Sequence, residues 1–433
     1  MARRLLGNLC SRTGRLVRWF LRYEKGAWQG ALVDAILHAP SVVRVAARLT
    51  GAPLSLLRGP DSAHTGMERH GDLAGSGIAI EASPASLRAG HGGGQVEYPG
   101  RSSGDCPAIR WREHLDVRIP AHPEARRTAW LRRGDRIVVE PPELEVFHFS
   151  TYSLHVNAIA VSRNRALVRN SRSSERLSLA VYPGSFAPGN WYHWLIEALP
   201  RIWLSDRLPD EFRRAPLLLH IDHLKSAAAA ESMEALAIDR EIHFFGREEG
   251  LDVERMIWID GAFSLRHHAL APDGSIDHRS RFHPVMREFR RLLLSTQEHE
   301  VVGLPRLVFL DRRAAARSYN RDAVRSMLSE RGFVAIDPSE LSFSEQMALF
   351  SSAETLVGPT GAAWANLLFA DSDVKALYWT PERFAGGQVW SSLAAVAGAS
   401  VHELTYPQVG SFKTDEYRLD VNLLSAQVDK LLG

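Results

Sequence analysis

Hydrophobic positions along this chain fall into two rhythms. Between Leu144 and Tyr182 they form short runs, Leu144 to Phe149, His155 to Ser162, Ala166 to Arg169 and Leu177 to Tyr182, with Arg163 and Asn164 in turn positions between the second and third. Such runs broken by turn residues predict a β-meander. From Trp191 the period lengthens, predicting helices over Trp191 to Asp206 and Lys225 to Ala237, with strands at Pro216 to Ile221, Ile242 to Phe245 and Met256 to Asp260. The C-terminal half alternates most regularly. Strands are expected at Arg306 to Asp311, Phe333 to Ile336, Thr355 to Gly358 and Val374 to Trp379, and helices at Arg321 to Arg331, Phe343 to Ser352, Ala362 to Phe369 and Val421 to Leu432. Alternation of this kind specifies βαβ units around a parallel, doubly wound sheet, an α/β fold. Ligands of such sheets sit beyond the carboxyl ends of the strands, near a switch point in strand order.

The N-terminal stretch departs from both rhythms. Met1 to Lys25 sets Leu5, Leu6, Leu9, Leu16, Val17, Phe20 and Leu21 among Arg3, Arg4, Arg12, Arg15, Arg18 and Arg22, a basic amphipathic helix. Such a helix either lies on an anionic membrane surface or is the solvated side of a docked helix. Its arginines fall where a signal peptide needs an uncharged core, so the segment is expected to be retained. Residues 59–105 shift to Gly, Ser, Pro, Ala and His and read as a flexible linker. His267, His268, His278 and His283 lie in a Pro- and Asp-containing stretch expected to cross between two lobes.

Composition narrows the function classes. The chain has 433 residues, 45% hydrophobic and 24% charged, which suits a globular protein of more than one domain. Its 52 basic and 50 acidic residues leave a formal charge of +2, which argues against a nucleic-acid partner. Arg or Asp interrupts every apolar run before it reaches the roughly 18 to 20 residues of a membrane-spanning helix. Cys10 and Cys106 are too few for a disulfide framework, and a reducing, cytoplasmic compartment fits. The histidines show no ligand spacing, so no metal is expected.

Four sets of residues could carry chemistry. Gly358-Pro359-Thr360-Gly361 leaves a strand and enters a helix at Ala362, where unpaired backbone N–H groups and the helix dipole favour a phosphate. The alternative is a turn glycine with Thr360 as an N-cap. Arg312, Arg313 and Arg317 follow the strand ending at Asp311 and are placed to clamp a diphosphate, or else form a solvated loop. Asn320 has a further reading as the N-cap of the next helix. Ser342 and Glu345 have the spacing of a capping box, and Glu345 is alternatively a partner for a ribose diol. His193 and Glu197, four apart on one helix, form the pair a general base requires, although a lone helical histidine is more often a packed polar residue.

Taken together, "GNWYHWLIEALPRIWL" and the run "FLDRRAAARSYNRDAVRSMLSERGFVAIDPSELSFSEQMALFSSAETLVGPTGAAWANLLFA" resemble the two signature regions of glycosyltransferase family 61, over Val181 to Trp379. Thr360 stands where many members carry histidine. The resemblance implies a fold of the GT-B type: two Rossmann-like lobes facing across a cleft, here with a basic helical N-terminal extension. It implies inverting transfer from a nucleotide-sugar to a glycan or other hydroxyl acceptor, with no cofactor, in the manner of bacterial members that build capsules and other surface polysaccharides. Carried over, Arg313, Arg317, Asn320, Glu345, Gln346, Gly358, Thr360, Gly361, Ala362 and Asn366 become donor-site residues, and His193 with Glu197 faces them from the other lobe. The expected organisation is an extension over 1–58, a linker over 59–105, an acceptor-side lobe over 106–280, a nucleotide-side lobe over 281–410 and a terminal helix over 411–433. A cytoplasmic protein touching the inner membrane face through residues 1–25 fits this scheme. A non-catalytic nucleotide- or glycan-binding module and a membrane-associated assembly partner remain the alternatives.

Overall fold

The computed structural model describes residues 54–58, 67–75, 77–78, 80, 85–88, 95–96, 105–106, 108–121, 130–139, 158–161, 165–170, 172–184, 187–260, 263–265, 269–270, 276–277, 280–297, 303–312, 318–382, 389–407 and 417–433. The basic helix expected over residues 1–25 and the strand expected at Leu144 to Phe149 lie outside them, as do His267, His268 and His278. The fold is mixed α/β, with two large sheets and helices packed between and around them.

The first sheet has eleven strands: β1 (Leu54–Arg58), β2 (Met67–Ala74), β3 (Ile109–Ile119), β4 (Trp130–Arg133), β5 (Arg136–Val139), β6 (Ala158–Val161), β7 (Arg165–Arg169), β8 (Arg172–Tyr182), β9 (Leu217–His220), β10 (Ile242–Phe245) and β11 (Glu249–Ile259). Its spine is long and mixed. β8 runs parallel to β11 from Arg172 opposite Glu249 to Tyr182 opposite Trp258, and β11 runs antiparallel to β3. Alternation explains the one-sided packing here: Val117, Ile119, Val253 and Leu251 enter an apolar cluster with Tyr182 and Trp258, while the intervening charged residues face the other way.

The second sheet matches the regular alternation of the C-terminal half. β12 (Leu307–Leu310), β13 (Val334–Ile336), β14 (Thr355–Pro359), β15 (Lys375–Pro381) and β16 (Ser400–Tyr406) are all parallel, in the order β13-β12-β14-β15-β16. Strand order therefore reverses between β12 and β14, and that is the switch point. Gly358 belongs there for steric reasons, since a Cβ on it would stand 2.9 Å from the Cβ of Leu310 and 3.0 Å from its carbonyl oxygen.

The segment read as linker contributes strands to both sheets. β2 pairs antiparallel with β3 and buries Leu73, and Ala85–Arg88 pairs parallel with β16. Its Gly- and Ser-rich composition hid this because both pairings are made to strands distant in sequence. Helices α1 (Leu199–Leu204), α2 (Ala227–Ala235), α3 (Val285–Ser295), α4 (Arg321–Ser329), α5 (Phe343–Ser352), α6 (Val389–Ala397) and α7 (Val421–Leu432) complete the frame. One apolar core joins the halves, with Trp194, Leu195, Phe289, Phe343, Trp364 and Leu393 among its members. His283 caps α3: the N–H of Val285 donates to its Nδ1 at 3.1 Å. Among the described residues no helix is long and apolar enough to cross a membrane.

Candidate functional site

The nucleotide-side candidates gather at the switch point. The 3₁₀ helix Ala362–Phe369 stands where an α-helix is expected, and it begins directly beyond β14. Two indoles hold its entrance: Trp364 donates to the carbonyl of Pro359 at 2.8 Å, and Trp390 of α6 donates to the Oγ1 of Thr360 at 3.1 Å. The Thr360 N–H is used by the carbonyl of Trp379 at 2.8 Å. The next N–H groups, of Gly361, Ala362 and Ala363, take no carbonyl partner among the described residues, and all three residues are part-exposed. Successive free amides at a helix start form a cradle for an anion. A cation stands beside them, because a Cβ added at Gly361 would lie 3.3 Å from an Nη atom of Arg312. Arg312 is exposed. Arg313 and Arg317 lie outside the described residues.

Other members of the set work inside the protein. Asn366 is fully buried; its Oδ1 accepts from Trp191 Nε1 at 2.9 Å and its Nδ2 donates to Gln346 Oε1 at 2.8 Å. Gln346 in turn donates to the carbonyl of Leu341 at 3.2 Å. Glu345 and Ser342 form the reciprocal capping box, with the Ser342 N–H donating to Glu345 Oε2 at 2.8 Å and the Glu345 N–H to Ser342 Oγ at 3.2 Å. Hydrogen bonds from Ser342 hold the Glu345 carboxyl below its usual range. Asn320 precedes α4 without capping it. Its amide instead clamps the backbone of Leu419, donating to the carbonyl at 3.1 Å and accepting from the N–H at 2.9 Å, because its φ and ψ of −71° and 61° turn it from the cap geometry.

The histidine candidate sits on an unusual helix. Asn190 starts it by accepting the Tyr192 N–H at 3.0 Å, and the segment His193–Ala198 then winds as a π-helix before α1 resumes the ordinary period. Pro200 supplies the physical reason: it has no N–H for the carbonyl of Ile196, so the ladder opens ahead of it and the Leu199 N–H reaches back to Trp194. Sequence periodicity alone predicts a plain α-helix here. Arg201 fixes the approach to this helix, donating to the carbonyl of Gly184 at 2.8 Å just past the carboxyl end of β8.

His193 and Glu197 meet as the spacing requires. His193 Nδ1 lies 2.5 Å from Glu197 Oε1, and the two side chains are 16% and 7% exposed, so the imidazole reaches solvent while the carboxylate does not. A buried carboxylate on Nδ1 sets the tautomer and leaves Nε2 as the basic nitrogen. Burial and the neighbouring Glu197 push the Tyr192 phenol well above its usual range, keeping it neutral beside the pair.

One side chain joins the two groups. The Trp390 ring makes an edge contact with Tyr192 at 5.4 Å between centroids, and its Nε1 holds Thr360 at the mouth of the amide cradle. Trp191 repeats the link through Asn366 and through its edge contact with Phe343 at 6.1 Å. A base and an anion cradle thus share one aromatic wall, an arrangement able to deprotonate one substrate while stabilising charge on another. Sequence reasoning missed Trp390 and underweighted Arg312 against Arg313. Only the three-dimensional approach of α6 to β14 reveals the first.

No curated protein matches the chain. The family model described as Glycosyltransferase 61 matches residues 191–377, a span that opens at Trp191 and takes in His193, the amide cradle and Asn366. Across that span the chain is similar to glycosyltransferase family 61.

Proposed function

We propose that this protein is a glycosyltransferase that moves a sugar from a nucleoside diphosphate donor to a hydroxyl of a glycan acceptor, with inversion at the anomeric carbon. In this reading the two sheets act as the lobes of a GT-B-like enzyme. His193 Nε2 takes the proton of the acceptor hydroxyl. The freed oxygen attacks the anomeric carbon as its bond to the diphosphate breaks, and the negative charge departs on the diphosphate. Amides of Gly361, Ala362 and Ala363, with Arg312, receive that charge, and Arg313 and Arg317 are proposed to add to it. These donors suit a metal-independent departure, since preorganised N–H groups and guanidinium stabilise developing charge directly. Glu345 serves the helix cap, and Gln346 and Asn366 serve the frame.

The observation that carries the reading is the His193–Glu197 pair held against the amide cradle by Trp390. The test is a thermal-shift screen with nucleoside diphosphates and their sugars, since a ligand that binds only the folded state raises the melting temperature. Stabilisation by a nucleoside diphosphate supports the cradle, and no shift with any of them contradicts it. The surface-polysaccharide role is proposed on the same footing, to be tested by the loss of a surface glycan on deletion of the gene.

A further inference from the structure

A row of charges crosses the long strands of the first sheet well away from the amide cradle. Register sets Arg176 of β8 opposite Asp252 of β11, Asp252 opposite Arg118 of β3, and Arg118 opposite Arg132 of β4. Residues opposed across neighbouring strands share a face, so the row reads plus, minus, plus, plus. Two of the cations are matched. Arg118 closes a two-pronged pair on Asp252 at 2.6 and 2.8 Å, and Arg176 donates to Glu254 at 2.8 Å and to Asp116 at 3.0 Å. Arg132 is not. Its Nε donates to the carbonyl of Gly134 at 2.8 Å and its Nη1 to the amide oxygen of Asn170 at 2.9 Å, both neutral oxygens.

Like charges opposed across a strand pair disfavour the fold, and the cost is greater when one is partly buried. Burial and then Arg118 lower the pKa of Arg132, outweighing the opposite pull of Asp252 and Asp135. The same residues line a cavity of about 250 Å³, whose walls include Asp116, Arg118, Arg132, Arg176 and Asp252. Asp116 takes a left-handed φ of 50° in the middle of a strand, a conformation uncommon for any residue but glycine. Strain, a cavity and a guanidinium hydrogen-bonded to neutral oxygens coincide.

We propose that this cavity binds an acidic sugar unit of the acceptor glycan, its anionic oxygens on Arg132 and its hydroxyls between Asp116 and Arg176. Guanidinium takes an oxyanion, and alternating Asp and Arg offer the mixed acceptors and donors that sugar hydroxyls need. The site rests on the reading of the chain as a transferase acting on glycans. Arg176 lies about 20 Å back along β8 from Tyr182, at the strand's carboxyl end, on the usual rise per residue. It would therefore hold a part of the acceptor chain remote from the reacting hydroxyl.

Calorimetry of the full-length protein with a galacturonate trimer, the same trimer as its methyl ester, and inorganic phosphate tests the site. The account expects the trimer to bind and to weaken with added salt, and expects the neutral ester and phosphate to bind at least about tenfold more weakly. Arg132→Gln should lose about tenfold in trimer affinity, with Arg132→Lys retaining part of it and melting temperatures no lower than wild type showing that both variants fold. Equal binding of trimer and ester, no binding of the trimer, or an unaffected Arg132→Gln variant would overturn the proposal. Phosphate binding as tightly as the trimer would reduce the cavity to a simple anion site and overturn it too. Nucleoside diphosphate binding by the wild type, read separately, tests the transferase reading: its failure alongside trimer binding would remove that reading and leave the acidic-sugar site standing.

Discussion

The indole N–H of Trp191 donates to the amide oxygen of Asn366 at 2.9 Å, tying the helix that carries His193 to the 3₁₀ helix that opens the anion cradle. Asn366 is wholly buried and passes the connection on to Gln346. The two halves of the proposed site are thereby held in one register by side chains that need not touch a substrate.

Replacing Asn366 by Leu leaves the Trp191 N–H and the Gln346 carbonyl oxygen without their partner, a loss of about 1–3 kcal/mol. Thermal unfolding should show a lower melting temperature, by about 1 °C for each kcal/mol in a chain of this size. In a transfer assay kcat should fall further than KM rises, since the position of His193 loosens while the amide cradle remains. A variant with unchanged kcat would show that the tie does not align the base.

Arg312 stands by the cradle without being part of its backbone. Arg312→Ala should weaken nucleoside diphosphate binding about tenfold, the scale of one charge-assisted hydrogen bond, and flatten its salt dependence in calorimetry. Unaltered affinity would leave the backbone amides as the whole of the described phosphate contact.

Glu345 gives a prediction in pH. Its carboxyl is held low in the folded state by bonds from Ser342, so the stabilisation is present above the unfolded pKa and is lost as pH falls through the folded one. The melting-temperature difference between wild type and Glu345→Gln should therefore be full near neutrality and shrink as the pH is lowered through the acid range. A difference that grew on acidification would contradict the capping-box account of this residue.

How legible this was in the sequence depended on how local each signal is. Helix α5 was read with its observed limits, Phe343 to Ser352, because Ser342 and Glu345 write the cap within four residues. Strands β12 to β15 of the second sheet were likewise visible as short apolar runs, whereas β16 was not. The π-helix was not, since its cause is the missing N–H of Pro200 acting on a ladder whose period sequence cannot display. Strand β2 hid inside a Gly- and His-containing stretch because its partner, β3, lies more than thirty residues away. Asn320, Gln346 and Asn366 stand where the family pattern puts donor contacts, yet their amides are engaged by Leu419, Leu341 and Trp191. Only tertiary contacts could reveal that. His193 with Glu197, by contrast, was written in the sequence as two residues four apart, and the structure brings them together.

The central claim is that His193 is the base and the cradle is a separate site, so both must be read on one variant. His193→Ala should lower kcat by about 10²–10⁴-fold, the usual share of a general base, while leaving the nucleoside diphosphate dissociation constant within about twofold of wild type. Transfer at near wild-type kcat by the His193→Ala protein would contradict the account.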